Sequence, residues 1–90
     1  MYTVYVLHST QFDKIYIGYS SDLEQRILSH NVLGKKGYTK KFRPWKVVYT
    51  EHFDSKQEAI QREKQLKGAQ GRQWIRNNLK NRQLVALLSA

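Results

Sequence analysis

The sequence contains no cysteine, which excludes a disulfide framework, a thiolate metal site and a cysteine nucleophile. One proline and five glycines are too few for a low-complexity chain. Acidic residues are scarce: seven Asp and Glu stand against sixteen Lys and Arg, giving a net charge of +9 and a pI near 10.0. No run approaches the roughly 18 apolar residues of a membrane-crossing helix. The opening stretch from Met1 to Leu7 is apolar but short, without a basic leader or a small-residue cleavage site. The expectation is therefore a cytoplasmic protein with no targeting segment and no membrane contact. Ninety residues leave room for one domain, 1–90, with one modest core. A mean hydropathy of -0.71 leans toward disorder. Against that, 12% aromatic residues set in strand and helix patterns favour a folded chain. The charge points to a polyanionic partner, most simply nucleic acid.

Residues 2–8 are β-branched and aromatic and predict a strand. Its two faces are both apolar, Tyr2, Val4 and Val6 against Thr3, Tyr5 and Leu7, so the sheet should be covered on both sides. A turn over 9–13 and a second strand over 14–19 complete a hairpin, in which Gly18 marks a close backbone approach. Ser21 with Glu24 reads as a capping box opening a helix over 22–31. A loop over 32–44 carries five cations and no acid. A third strand covers 45–53. Ser55 with Glu58 opens a second helix that runs to 67 and stops at Gly68. A third helix covers 70–79, and the apolar segment 83–88 extends or follows it. The order β-β-α-β-α-α predicts an α/β (α+β) fold with a small three-stranded antiparallel sheet flanked by helices.

Several polar residues break the helical patterns. With Ala59 set at 0° on a wheel of about 100° per residue, Leu66 falls near 340° and Glu63 near 40°, inside the apolar arc. A carboxylate there needs a cation, hydrogen bonds or a metal. On the first helix Arg26 and His30 stack one turn apart beside the stripe of Leu23 and Ile27. Six tyrosines are present, and Tyr16 shares a strand face with Gly18. Taken singly, each has an ordinary structural reading: a salt-bridged Glu, a snorkelling Arg, a satisfied His, a packed Tyr. Other chemistries lack support. No Walker spacing or nucleophile elbow is present, and His8, His30 and His52 show no metal-ligand spacing.

Taken in order, these residues resemble one family. Thr3–Val4–Tyr5, followed by Tyr16–Ile17–Gly18, is similar to the paired tripeptides of the GIY-YIG nuclease superfamily. Arg26, ten residues after Tyr16, stands at the family's arginine, and His30 four later at its His or Tyr position. Glu63 matches the helix-borne metal-binding glutamate. The run from Arg62 to Lys67 looks most like the small stand-alone bacterial members that resemble an excinuclease N-terminal domain. The first tripeptide has Thr3 and Val4 for Gly and Ile, and Tyr19 stands where many members carry Lys or Thr.

The resemblance implies an endonuclease that hydrolyses DNA phosphodiester bonds with one divalent ion, Mg²⁺ or Mn²⁺, held by Glu63. It further implies Arg26 on a phosphate oxygen and Tyr16 as general base. Tyr5 would contact water or phosphate, and His30 would orient a tyrosine. Low sequence specificity and a place in DNA repair or processing are expected. DNA would lie across Lys35, Lys36, Lys40, Lys41 and Arg43 and along Arg62, Lys64, Lys67, Arg72 and Arg76. Two rivals stand beside this reading. One is a nucleic-acid-binding module without turnover. The other is a scaffold that docks a protein partner or a second copy through 83–88.

Overall fold

The computed structural model describes residues 1–33 and 40–89, with side chains described for 1–31 and 40–80. Strand β1 (Tyr2–Ser9) and strand β2 (Lys14–Ser20) form the hairpin, and helix α1 (Leu23–Leu28) follows. A π-helical turn, Ser29–Leu33, continues it. Then come strand β3 (Lys46–Phe53), helix α2 (Lys56–Lys67) and helix α3 (Ala69–Ser89). The sheet order is β2-β1-β3, antiparallel throughout. The expected order and fold class are both present.

Strand β1 lies in the middle, so both of its edges are paired, and side chains pack on both of its faces. On one face Val4 and Val6 join Ile15 and Ile17 of β2, Ala59 and Leu66 of α2, and Ile75 of α3. On the other, Tyr5, Leu7 and Trp45 pack with Tyr16, Leu23, Ile27, Phe42 and Val47. Each fully buried aliphatic side chain contributes about 1.5–3 kcal/mol. The core is thus two layers of side chains sharing one strand.

Three boundaries differ from expectation for identifiable reasons. The cap of α1 is Asp22, whose side chain accepts from the Gln25 backbone N–H at 3.2 Å. Ser21 and Asp22 are both good cap formers, and Gln25 three residues on favours the second. The helix also stops at Leu28 instead of running on to 31, because the chain widens into the π turn. The third helix is longer than 70–79 and absorbs 83–88 as helical backbone. The second helix follows expectation: Ser55 caps it by accepting from the Glu58 N–H, and Gly68 closes it.

Two local features position the rest. Gly71 sits where α3 turns against α2, and a Cβ there would lie 2.6 Å from Leu66 Cα, so only glycine lets the helices meet so closely. In β3 the register slips between the partners of Val6 and Leu7: Val6 faces Tyr49, whereas Leu7 faces Val47. This bulge at Val48 sends Val47 to the Tyr5 face, while Val48 and Tyr49 both join the helix-covered core.

Candidate active site

The alternation of β1 and β2 carries Tyr5, Tyr16 and Gly18 to one face, with Tyr5 paired directly to Gly18 across the ladder. A Cβ on Gly18 would lie 2.7 Å from Tyr5 Oη and 2.9 Å from Cζ. The glycine is thus the floor on which the Tyr5 ring lies. Tyr5 and Tyr16 stack at 6.4 Å between centroids. His30, delivered by the π turn, packs on Tyr16 at 4.6 Å and meets Tyr5 Oη through Nε2 at 3.0 Å. π turns recur at functional sites because they re-aim one side chain, and here that side chain is His30, which is buried while Arg26 one turn earlier is exposed.

The wall behind the rings is braced by side-chain contacts to backbone. Asn31 brackets Trp45, with Nδ2 donating to the Trp45 carbonyl at 3.0 Å and Oδ1 accepting from the Trp45 N–H at 2.6 Å. Arg43 donates through Nε to the His30 carbonyl at 2.6 Å and through a second nitrogen to the Ser29 carbonyl at 3.4 Å. Trp45 packs edge-on to Tyr16 at 6.2 Å. Sequence reasoning missed Asn31 and Trp45, since a contact between residues 14 positions apart leaves no periodic trace.

Burial pushes the Tyr5 phenol far above its usual value. Tyr16 and the Glu63 carboxylate push it further, and Arg26 opposes them. Tyr5 therefore keeps its proton throughout the physiological range. Burial, with Arg26 and Arg43 nearby, holds His30 below its ordinary value, so its imidazole is neutral at pH 7. Two neutral groups thus share one hydrogen bond, and the imidazole tautomer sets which of them donates. Tyr5, Tyr16, Arg26, His30 and Glu63 are all close enough for contact or charge interaction.

Glu63 is mostly buried, with 15% of its side chain exposed, and Lys67 one turn on reaches its Oε1. Among the described residues no three His, Cys, Asp or Glu cluster as a metal cage. A single carboxylate suits Mg²⁺, which keeps several waters and takes its remaining ligands from phosphate oxygens. By that chemistry the residues present fit the ion.

The cations expected to meet DNA separate into groups. Lys40 and Lys41 are exposed, and Lys41 and Lys14 flank the Phe42 ring at 5.5 and 5.3 Å. Phe12, itself exposed, packs edge-on to Phe42 at 5.5 Å. Arg43 is engaged behind the rings as above. On α2 Arg62 clasps Glu51, Lys64 is exposed and Lys67 is on Glu63. Arg72 donates to the Lys67 carbonyl at 3.0 Å. Arg76 pins Asp13 of the hairpin turn at 2.6 Å, and the same carboxylate oxygen lies 2.9 Å from buried His8. Lys35 and Lys36 lie outside the described residues.

A buried Tyr5, a half-buried Tyr16, a neutral histidine, an arginine and a helix-borne glutamate thus gather at one side of a three-stranded sheet. The GIY-YIG catalytic domain model matches residues 1–81, and the chain belongs to that family. A UPF0213 protein of Natronomonas pharaonis is 41% identical over 64 residues, covering 71% of this chain and 74% of that one. A UPF0213 protein of Staphylococcus saprophyticus is 47% identical over 53 residues, covering 59% of this chain and 65% of its own length. The match therefore spans just under two thirds of that relative. A UPF0213 protein of Bacillus halodurans, solved by solution NMR, is 31% identical with a TM-score of 0.46, covering 97% of this chain and 85% of that one. No helix among the described residues is long and apolar enough to cross a membrane.

Proposed function

We propose that this domain is a divalent-metal-dependent endonuclease that hydrolyses DNA phosphodiester bonds with little sequence specificity, in DNA repair or processing. The observation that carries the reading is the Tyr5–Tyr16–His30 stack on one sheet face, with the charges of Arg26 and Glu63 felt at Tyr5. Tyr16 is half-buried and so meets both solvent and the rings. It takes the proton of the attacking water. Tyr5, held protonated and anchored on His30, orients that water or a phosphate oxygen by hydrogen bonding. Arg26, exposed on α1, grips a non-bridging oxygen through its planar fork. Glu63 would hold Mg²⁺ or Mn²⁺, which when bound stabilises charge on the phosphoryl group and leaving oxygen. Exposed Lys40, Lys41 and Lys64 fix the DNA by its phosphates, and such contacts position without reading sequence.

The test is Glu63→Ala. Cleavage of a supercoiled plasmid should vanish while affinity for a DNA duplex stays within a few-fold. Lys67 is 48% exposed, so losing its partner returns the ammonium to water. A pair of this kind contributes about 0.3–0.5 kcal/mol, and alanine's helix propensity offsets part of it. In metal-free buffer the midpoint should thus move by less than about 4 °C. A purely structural Glu63 would instead cost about 3–5 kcal/mol, and a drop beyond about 12 °C would remove the main support for the nuclease. Duplex binding without metal-dependent cleavage by the unmodified protein would favour the non-catalytic module.

A further inference from the structure

Of a groove formed by α2 and the first turns of α3, the proposed cleavage uses only the rim residue Lys64. Its volume is about 700 Å³, and Arg62, Lys64, Gln65, Gly71 and Trp74 are among the residues lining it. Trp74 keeps 42% of its surface exposed, an uncommon position for the largest apolar side chain. The indole is nevertheless held. It stands edge-on to Tyr49 at 5.2 Å and 81°. Tyr49 donates its hydroxyl proton to Glu51 at 2.7 Å. Arg62 Nε donates to both oxygens of that carboxylate, at 3.1 and 2.9 Å. Arg62 then reaches Gln65 in the groove wall at 3.3 Å. A chain of contacts across β3, α2 and α3 thus fixes the orientation of an exposed aromatic ring.

The net charge around the ring is positive. Among the described residues no acidic side chain lines the groove. Glu51 balances Arg62, while exposed Lys64 supplies net positive charge at the rim. A fixed aromatic face beside cations, with no carboxylate, suits a nucleobase with its phosphate. In a duplex both faces of a base are already stacked on neighbours, so the fitting base is an unpaired one. We infer that the Trp74 groove binds single-stranded DNA, with an unpaired base stacked on Trp74 and the adjacent phosphate on Lys64. The inference rests on the nucleic-acid reading of the domain and adds to it a preference for substrates with an unpaired segment.

The experiment is a binding titration in metal-free buffer with a chelator, using a short oligothymidylate and a fully paired hairpin of equal charge. The chain has two tryptophans, and Trp45 packs on Tyr16, so the part of an emission change that is lost in Trp74→Ala reports Trp74. The oligothymidylate should quench the emission and the hairpin should not. Trp74→Ala should weaken oligothymidylate binding about 10- to 100-fold and leave hairpin affinity unchanged. Because Trp74 also packs on Tyr49, Lys64→Glu provides a second variant without core contacts. It should weaken oligothymidylate binding and reduce the salt slope by about one phosphate contact. Equal losses for both ligands in Trp74→Ala, or an emission indifferent to either, would overturn the inference. So would self-association of the unmodified protein that Trp74→Ala abolishes, which would make a second copy the occupant. Metal-dependent cleavage without a Trp74 response would sink the groove and spare the nuclease reading; a Trp74 response in a protein that never cleaves would do the reverse.

Discussion

Gly18→Ala tests the architecture of the site with a single methyl group. The added carbon would lie 2.7 Å from Tyr5 Oη, 2.9 Å from Tyr5 Cζ and 3.2 Å from Tyr16 Cε1. Tyr5 is 1% exposed and tied to His30, so the ring has no free space into which to retreat. Overpacking of this kind costs about 1–3 kcal/mol, and replacing glycine within a strand returns about 0.5–1 kcal/mol. A net loss of about 1–2 kcal/mol lowers the midpoint by about 4–16 °C in a domain of this size. Relief of the clash requires Tyr5 to tilt, which lengthens its bond to His30. Misplacement by about 1 Å can cost on the order of 10²-fold in rate, so cleavage should fall about 10- to 100-fold. Thermal melts and metal-dependent plasmid cleavage measure the two effects. The double variant Gly18→Ala with Tyr5→Phe removes the shortest contact and should recover part of the lost stability, a coupling visible in a double-mutant cycle. A Gly18→Ala protein that melts and cleaves like the parent would refute the close seating of Tyr5 on the strand.

Tyr16→Phe should lower cleavage at least the ~10²-fold typical of acid–base groups. Tyr5→Phe should act through lost positioning alone, because that phenol never ionises in the working range; a crippled Tyr5→Phe beside a nearly normal Tyr16→Phe would reassign the base. Stability should fall as the pH is lowered. His30 has a folded pKa below its unfolded 6.5, so the unfolded chain takes up a proton first, and stability is complete above that pH. The loss on acidification toward the folded value is at most about 1.4 kcal/mol per pH unit, and an equal slope in His30→Gln between pH 7 and 5 would assign it to another group. Replacing Lys40 and Lys41 by Ala should flatten the salt dependence of duplex binding by up to about two phosphate contacts, and an unchanged slope would place the DNA elsewhere. Arg43 is left intact there because its bonds to the Ser29 and His30 carbonyls brace the rings.

What the sequence made legible follows from the range of the interactions. Ser55 and Glu58 announce their helix within four residues, and the alternating faces of 2–8 announce a sheet covered on both sides. Gly18 stood out as a close approach, although the atom approaching it, Tyr5 Oη, is known only once the strands are in register. The displaced residues Glu63 and His30 were visible as breaks in a helical period. Features built across the chain were not visible. The bulge at Val48 depends on how β3 meets β1, and a strict period of two would have placed Val47 and Tyr49 on the same face. Asp13 and Arg76 meet across 63 residues, and Tyr49, Glu51 and Arg62 meet only when α2 lies along β3. The π turn that delivers His30 needs one extra residue per turn, which no local pattern among Leu28, Ser29 and His30 demands.

The central position of β1 has a consequence for how this protein can change. Its even-numbered residues, Val4 and Val6, belong to the layer beneath α2 and α3, and its odd-numbered Tyr5 belongs to the layer that carries the proposed active site. Substitutions at Val4 and Val6 of this eight-residue strand should therefore act on abundance in cells, whereas at Tyr5 they should act on the proposed turnover as well, and buried Leu7 should behave as core. Drift in the supporting layer can proceed so long as volume is conserved, leaving the tyrosine's surroundings untouched. The domain can thus acquire a new thermal tolerance while the Tyr5, Tyr16 and His30 cluster stays as it is, and a designer can adjust stability from the Val4 and Val6 side of a single strand.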